Sequence, residues 1–210
     1  KYKVFKNLKD IKNMISRSAT GIIAIGDNKK REKISKEVNS IFKKFNWIKL
    51  ISKNAILSTN VTIGEGSVVI TGATINTGTK IGKHCLINTN SSIDHDNEFK
   101  DFSGSGPGVT TGGNVKVGKK SYLGIGCTIN NSIKIEDNVI IGAQSFVNKN
   151  CKKNSLYFGV PAGTKLSILL PLNKFILSST FINLWKKIKI LYVDNVLNIS
   201  IVPTQVMFDA

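Results

Sequence analysis

Large aliphatic side chains recur at every sixth position through the middle of this 210-residue chain. Counted in hexads from Ala55, the third residue runs Leu57, Ile63, Val69, Ile75, Ile81, Ile87, Ile93 and Phe99. The series breaks at Ser105 and Thr111, then resumes as Val117, Leu123, Ile129, Ile135, Ile141 and Val147. Two places earlier in each hexad the residues are mostly small or β-branched, as at Ser67, Ala73, Thr79, Cys85, Ser91 and Val109. Of the 18 glycines, 16 fall between Gly64 and Gly163, commonly just after the aliphatic residue. A period of six does not fit a helix of 3.6 residues per turn; it fits short strands, each followed by a turn. The aliphatic side chains then point into a narrow prism, the small residues fill its corners, and Gly and Asn supply turns with positive φ. Backbone hydrogen bonds run between coils, so a coil is stable only when stacked on its neighbours.

The pattern aliphatic, then Gly, acidic or Asn, with a small residue three places on, resembles the hexapeptide-repeat family. That resemblance implies a left-handed parallel β-helix in which three hexads make a triangular coil of 18 residues, about five coils here. The left hand belongs to the family; the usual crossover rule runs the other way.

The flanks read differently. Thr20–Gly26 is expected to be a short buried strand. Residues 29–45 are expected to form a helix, with Ile34, Val38, Ile41 and Phe45 on one face. Beyond the solenoid, Lys174–Tyr192 carries apolar residues near helical spacing, followed by a short extended segment, Val196–Val202. The fold class is therefore mainly β, with three parts: a partial N-terminal α/β (Rossmann-like) subdomain over 1–50, a β-helix over 51–165, and a C-terminal extension, helical in expectation, over 166–210. The extension is read as a cap on the open end of the solenoid. A membrane-surface helix bearing Lys186, Lys187 and Lys189, or the start of an appended domain, are the other readings.

Composition narrows the function classes. Thirty basic and 13 acidic residues give a formal charge of +17, which by itself points to nucleic acid. Residues 1–50 carry +10 of it and residues 51–165 only +5, and the solenoid lacks interleaved stacking aromatics, so nucleic-acid binding is not expected. The Lys, Asn and Ile bias also fits an AT-rich genome. Cys85, Cys127 and Cys151 are odd in number and lack metal-ligand spacing, so neither a disulfide framework nor a metal site is expected; they read as small buried residues in a reducing compartment. No signal peptide is visible in the sequence, which opens Lys-Tyr-Lys without a Met, and a membrane span is not expected, because the longest apolar stretch, Leu166–Trp185, is broken by Pro171, Asn173, Lys174 and Asn183.

The two polar third-position residues, Ser105 and Thr111, adjoin Asp94-His95-Asp96, where a histidine stands between two carboxylates. Weakened core rules beside such a group mark a candidate site. His95 and Gly113 are both fifth residues of their hexads, 18 positions apart, so they should stack on one prism edge about 4.8 Å apart. An imidazole beside a backbone N–H suits acyl transfer: the ring removes a proton from the attacking group and the amide meets the carbonyl oxygen where charge develops. Asp94 or Asp96 would orient the ring. His84, which ends a hexad with no acid beside it, is read as a solvated turn histidine.

The runs Ile87–Asp96, Gly112–Gly118, Tyr122–Gly126 and Gly159-Val160-Pro161-Ala162 resemble the sugar acetyltransferases of the sialic-acid O-acetyltransferase and UDP-4-amino-sugar N-acetyltransferase type, and residues 19–60 resemble the second half of that family's N-terminal domain. The resemblance implies a bacterial, cytoplasmic, homotrimeric enzyme of cell-surface polysaccharide biosynthesis that moves acetyl from acetyl-CoA to an amine, or second to a hydroxyl, of a nucleotide-linked or sialic-acid-like sugar, with active sites between neighbouring prisms and no covalent intermediate. It implies His95 as general base, Asp96 as the acid that tunes it, Asn88 near the acceptor sugar, and the Gly113 amide against the thioester. Ile125, Ala143 and the turn at Pro161 would line coenzyme A. Three departures stand out: no Gly-rich loop precedes Ala19, Gly104 stands where many relatives carry a second histidine, and about 45 residues follow the Gly-Val-Pro-Ala turn. They keep open an alternative, a catalytically degenerate solenoid serving as an oligomeric scaffold.

Overall fold

The computed structural model describes residues 19–42 and 44–164, with the backbone of 190–193 and 196–199. The chain divides into two compact units, Lys1–Ser167 and Ile168–Ala210.

The first unit begins with a βαβ piece. Strand β1 (Ala19–Gly21) pairs in parallel with β2 (Phe45–Trp47), and helix α1 (Asn28–Ile41) crosses between them. Asp27 caps the helix by accepting from the Lys30 N–H at 2.7 Å, which satisfies one of the free amide donors of the first turn. Ile23, Val38 and Trp47 form a small core. The strand is shorter than the Thr20–Gly26 expected, and the helix stops at Ile41 rather than residue 45. Phe45 scans as a helical core position, yet its ring lies 4.3 Å from that of Trp47, a contact it makes from β2.

Eighteen two-residue strands follow, from β3 (Leu50–Ile51) to β20 (Leu156–Tyr157). They form three parallel sheets of seven, six and five strands, about six turns of a prism. This is the parallel solenoid the six-residue period calls for, and it agrees with a left-handed β-helix; the coils begin one hexad before Ala55, at Leu50. Each residue pairs with the one 18 places on, as Ser92 with Thr110 and Ile93 with Thr111. The last coil is two residues shorter, with Ile140 paired to Leu156. Third-position Ile75, Ile87, Ile93, Leu123 and Ile129 are fully buried, with the small first-position residues Ala73, Cys85 and Ser91 beside them. The three cysteines are free and buried; burial pushes the Cys85 and Cys151 thiols up to about 11 and that of Cys127 to about 12. Every sixth residue from Asn60 to Gln144 has positive φ, whether or not it is glycine.

Helix α1 docks on one edge of the prism through Arg31, which is 2% exposed. Its guanidinium donates to the carbonyls of Ile25, Gly26, His84, Phe102 and Ser103 and to Asn28 Oδ1, at 2.7–3.3 Å. Glu32 beside it pairs with Lys36, Lys119 and Lys120. Burial works against its charge, but those three lysines outweigh it and bring the carboxyl to about 2. His84 is part of this joint rather than a solvated turn. Its ring stacks on Phe102 at 4.9 Å, meets Trp47 edge-on at 4.8 Å, and shares a 3.1 Å hydrogen bond through Nε2 with Ser35.

In the second unit, β21 (Ile190–Val193) pairs antiparallel with β22 (Val196–Ile199). The predicted helix Lys174–Tyr192 lies outside the described residues up to 189. Over 190–192 strand β21 stands in place of the expected helix.

At Gly64 the glycine after the aliphatic residue is dictated by stacking. A Cβ at Gly64 would lie 2.5 Å from the Gly82 carbonyl carbon, in the backbone of the next coil, whereas one at Gly26 meets nothing within 4 Å. Gly64→Ala is expected to lose about 1–3 kcal/mol of stability by overpacking, and Gly26→Ala to stay within about 0.5 kcal/mol of wild type, both read by chemical denaturation.

Candidate active site

Strand β10 (Ser92–Ile93) and strand β11 (Glu98–Phe99) belong to different sheets, and the turn between them carries Asp94, His95 and Asp96 at a prism edge. The side chain of His95 is 55% exposed. Its Nδ1 lies 2.9 Å from Asp96 Oδ2; an ionised carboxylate only accepts, so this contact favours the neutral tautomer with its proton on Nδ1 and a lone pair on Nε2. The Asp96 hydrogen bond, with the charge of Asp94 behind it, raises the His95 pKa above the ordinary imidazole value. Asp94 faces elsewhere: its Oδ1 accepts from the His95 backbone N–H at 2.8 Å and from Asn76 Nδ2 at 3.1 Å. The choice between the two acids is thus made by geometry, Asp96 for the ring and Asp94 for the backbone. Asp96 has room because Gly78, one coil away, has no side chain; a Cβ there would strike Asp96 Oδ1.

On the other side of His95 stands Gly113. A Cβ at Gly113 would lie 2.6 Å from both Cε1 and Nε2 of the ring. The free edge of the imidazole therefore lies against the glycine backbone, as the 18-residue spacing requires. Among the described residues nothing accepts from the Gly113 N–H.

The broken core positions have a structural reason. Ser105 Oγ accepts from the Asn88 N–H at 3.0 Å, and Thr111 Oγ1 from the Asp94 N–H at 3.2 Å. Both hydroxyls are buried, and each braces the turn that carries a candidate site residue. A residue that sequence reasoning passed over, Asn97, is buried at the base of the His95 turn. Its Nδ2 donates to Asp94 O at 2.6 Å and Gly112 O at 3.0 Å, and its Oδ1 accepts from the Val115 N–H at 3.0 Å. The available signal was an amide at a first position of the repeat, where small residues are the rule.

Asn88, Ile125 and Ala143 do not join this group. They lie in turns on the next edge of the prism, between the sheet of β9 (Leu86–Ile87) and the sheet of β10. Ile125 is 53% exposed, and Pro161 follows in the closing turn after Val160. Asn88 also lines an open cleft of about 430 Å³ whose walls are Gly26–Lys29 at the start of α1 and Leu86, Lys120, Tyr122, Asn138 and Ile140 of the solenoid. Gly104 lies in strand β12 (Gly104–Ser105) and is buried. A Cβ there would be 3.1 Å from Leu86 O and 3.5 Å from Asn28 Oδ1, so the space above it is taken by the first residue of α1. Among the described residues no cluster of three or more His, Cys, Asp or Glu could hold a metal ion, and no helix is long and apolar enough to cross a membrane.

No family model matches the chain. Solved structures do. PerB from Caulobacter crescentus, crystallised with CoA and GDP-perosamine, is 32% identical over 70% of this chain and 70% of its own, with a TM-score of 0.68. The acetyltransferase domain of PglB from Neisseria gonorrhoeae, in complex with acetyl coenzyme A, is 26% identical over 74% and 75%, with a TM-score of 0.70. WeeI from Acinetobacter baumannii is 25% identical over 75% and 76%, with a TM-score of 0.69. The chain belongs to the hexapeptide-repeat sugar N-acetyltransferases.

The edge at His95 brings an imidazole and a glycine peptide together from adjacent coils. Exchanging Asp96 for Asn should lower the His95 pKa toward the ordinary imidazole value. Asp94→Asn should lower it less, because Asp94 acts on the ring only through its charge. NMR titration of the two histidines, with His84 as internal reference, checks both.

Proposed function

We propose that this chain transfers acetyl from acetyl-CoA to the amino group of a nucleotide-linked sugar. The observation that carries the reading is the His95 ring held through Nδ1 by Asp96 with its Nε2 edge against Gly113. The amine attacks the thioester carbonyl while Nε2 takes its proton. Negative charge gathers on the carbonyl oxygen, where the Gly113 N–H donates to it. The tetrahedral species then collapses, the C–S bond breaks, and the imidazolium returns the proton to the sulfur of the departing coenzyme A. Asp96 stabilises the imidazolium between the two transfers. The amine is favoured over a sialate hydroxyl because PerB, 32% identical, was crystallised with an amino-sugar nucleotide.

In this reading Asn88 and its cleft receive the acceptor, with Lys29 and Lys120 beside the phosphates and Leu86, Tyr122 and Ile140 beneath the sugar. Ile125, Ala143 and Pro161 line the coenzyme. Because these groups and His95 occupy different edges of one prism, the reading requires a neighbouring copy to complete each site, in keeping with a homotrimer. In this reading the enzyme is cytoplasmic, where acetyl-CoA and sugar nucleotides are made, and its product serves surface polysaccharide.

The test is thiol release from acetyl-CoA with GDP-perosamine and UDP-linked 4-amino sugars as acceptors. His95→Ala should reduce kcat by about 10²- to 10⁴-fold. The wild-type rate should fall as pH drops through the raised His95 pKa, since the protonated ring cannot accept. Turnover unaffected by the substitution would remove the base from His95, and absence of both turnover and CoA binding would favour the scaffold.

A further inference from the structure

Three hydroxyls at position one of the hexad share a hydrogen-bonding task elsewhere in the solenoid. Ser67 Oγ donates to Gly82 O, 15 residues on, and accepts from the Cys85 N–H, 18 residues on. Ser121 does the same with Glu136 O and the Val139 N–H, and Thr79 with Asp94 O and the Asn97 N–H. A hydroxyl has one proton to give, so it ties its own coil to the next and nothing more.

Asn97 performs this task at the His95 corner and adds a second bond that one hydroxyl cannot make at the same time; Ser103, at the same position, donates back three residues to Lys100 O instead. It meets Gly112 O and the Val115 N–H, the same 15 and 18 residues on. Its amide has two protons, and Nδ2 also reaches back 2.6 Å to Asp94 O and 3.3 Å to His95 O, in its own turn. One planar, buried amide group thus holds the turn that carries His95 and the turn that carries Gly113.

We propose that Asn97 is a positioning residue for acetyl transfer: it fixes the spacing between the His95 imidazole and the Gly113 N–H by clamping both turns. The assignment rests on the reading of His95 as the base. It has a chemical rationale in the reaction itself. The proton acceptor and the oxyanion donor must address one tetrahedral carbon together, and misplacement of a reacting group by about 1 Å can cost 100-fold in rate.

Substitution by the residue used elsewhere at this position separates clamp from scaffold. Asn97→Ser keeps the donor to Gly112 O and the acceptor for the Val115 N–H, and loses the bonds to Asp94 O and His95 O. It is expected to lower kcat by about 10-fold, leave KM for acetyl-CoA within about twofold, and shift the His95 ring resonances while those of His84 stay in place. Asn97→Thr, copying Thr79, serves if the serine variant folds poorly, and thermal unfolding reports on both. His95→Ala is run beside them. If His95→Ala is inactive while Asn97→Ser and Asn97→Thr keep wild-type kcat and His95 resonances, the clamp is wrong and the base assignment stands. If His95→Ala retains full turnover, both fall. A loss of kcat that tracks loss of thermal stability in both variants, with His95 resonances unmoved in the folded protein, also overturns the clamp.

Discussion

Everything in the solenoid hangs on one register: up to the shortened last coil, each residue lies over the residue 18 places on, joined by hydrogen bonds such as Thr74 N–H to Ser91 O and Ser92 N–H to Val109 O, both 2.8 Å. No strand here exceeds two residues, too short to hold itself. Stability comes from the sum of coil-to-coil bonds and from a column of aliphatic side chains touching above and below. The register explains the tight rules at the turns. Where coils pass closest a side chain would strike the backbone of the next coil, so glycine follows the aliphatic residue at Gly64, Gly118 and Gly124. The sixth residue must take positive φ even when it is His84, Phe102 or Lys120, because the strand bonds on either side leave the chain no other path.

The same register builds the site. Stacking makes neighbours of residues far apart in sequence but equal modulo 18, so a histidine at one fifth position meets whatever occupies the fifth position of the next coil. Glycine there leaves the ring edge against a bare peptide. Glycine at 78 leaves room on the other side for Asp96. The dyad is thus seated between two absent side chains, while hydroxyls and an amide substituted into the core hold its turns. Ser105, Thr111 and Asn97 each give up apolar or small-residue packing, and each is repaid by hydrogen bonds to otherwise buried polar groups, which removes the desolvation penalty of placing them there.

Much of this was legible because the period is short and repeated. The strand register, the fully buried Ile75, Ile87 and Ile93, and the proximity of His95 to Gly113 follow from counting alone. Individual hydrogen-bond partners do not. Ser105 and Thr111 stood out as departures, but that they brace Asn88 and Asp94 depends on where turn amides point. Asn97 was masked because position one tolerates many small or polar residues. The helix end at Ile41 is not legible because Phe45 suits a helical face and a strand equally, and only its packing on Trp47 decides. The burial of His84 is not legible either, because nothing in its own hexad signals it. Its burial is imposed by Ser35 and Trp47, residues at least 37 positions earlier in the chain.

That joint also changes the meaning of the charge. The cations of α1 are compatible with the basic prism edge on which it sits, because Glu32 is shared among Lys36, Lys119 and Lys120 and Arg31 directs its donors to carbonyl oxygens. A guanidinium suits that position better than an ammonium: its planar fork reaches several carbonyls from two elements at once, whereas a lysine offers a point charge on a flexible stem. The docked helix in turn places Asn28 over Gly104 and Lys29 at the mouth of the cleft. The cleft's charge and shape are therefore set from one prism edge, and the raised pKa of His95 from another. In the function proposed above, only the approach of a second prism brings the two to one substrate, so catalysis and assembly would be linked through the same stacked edges.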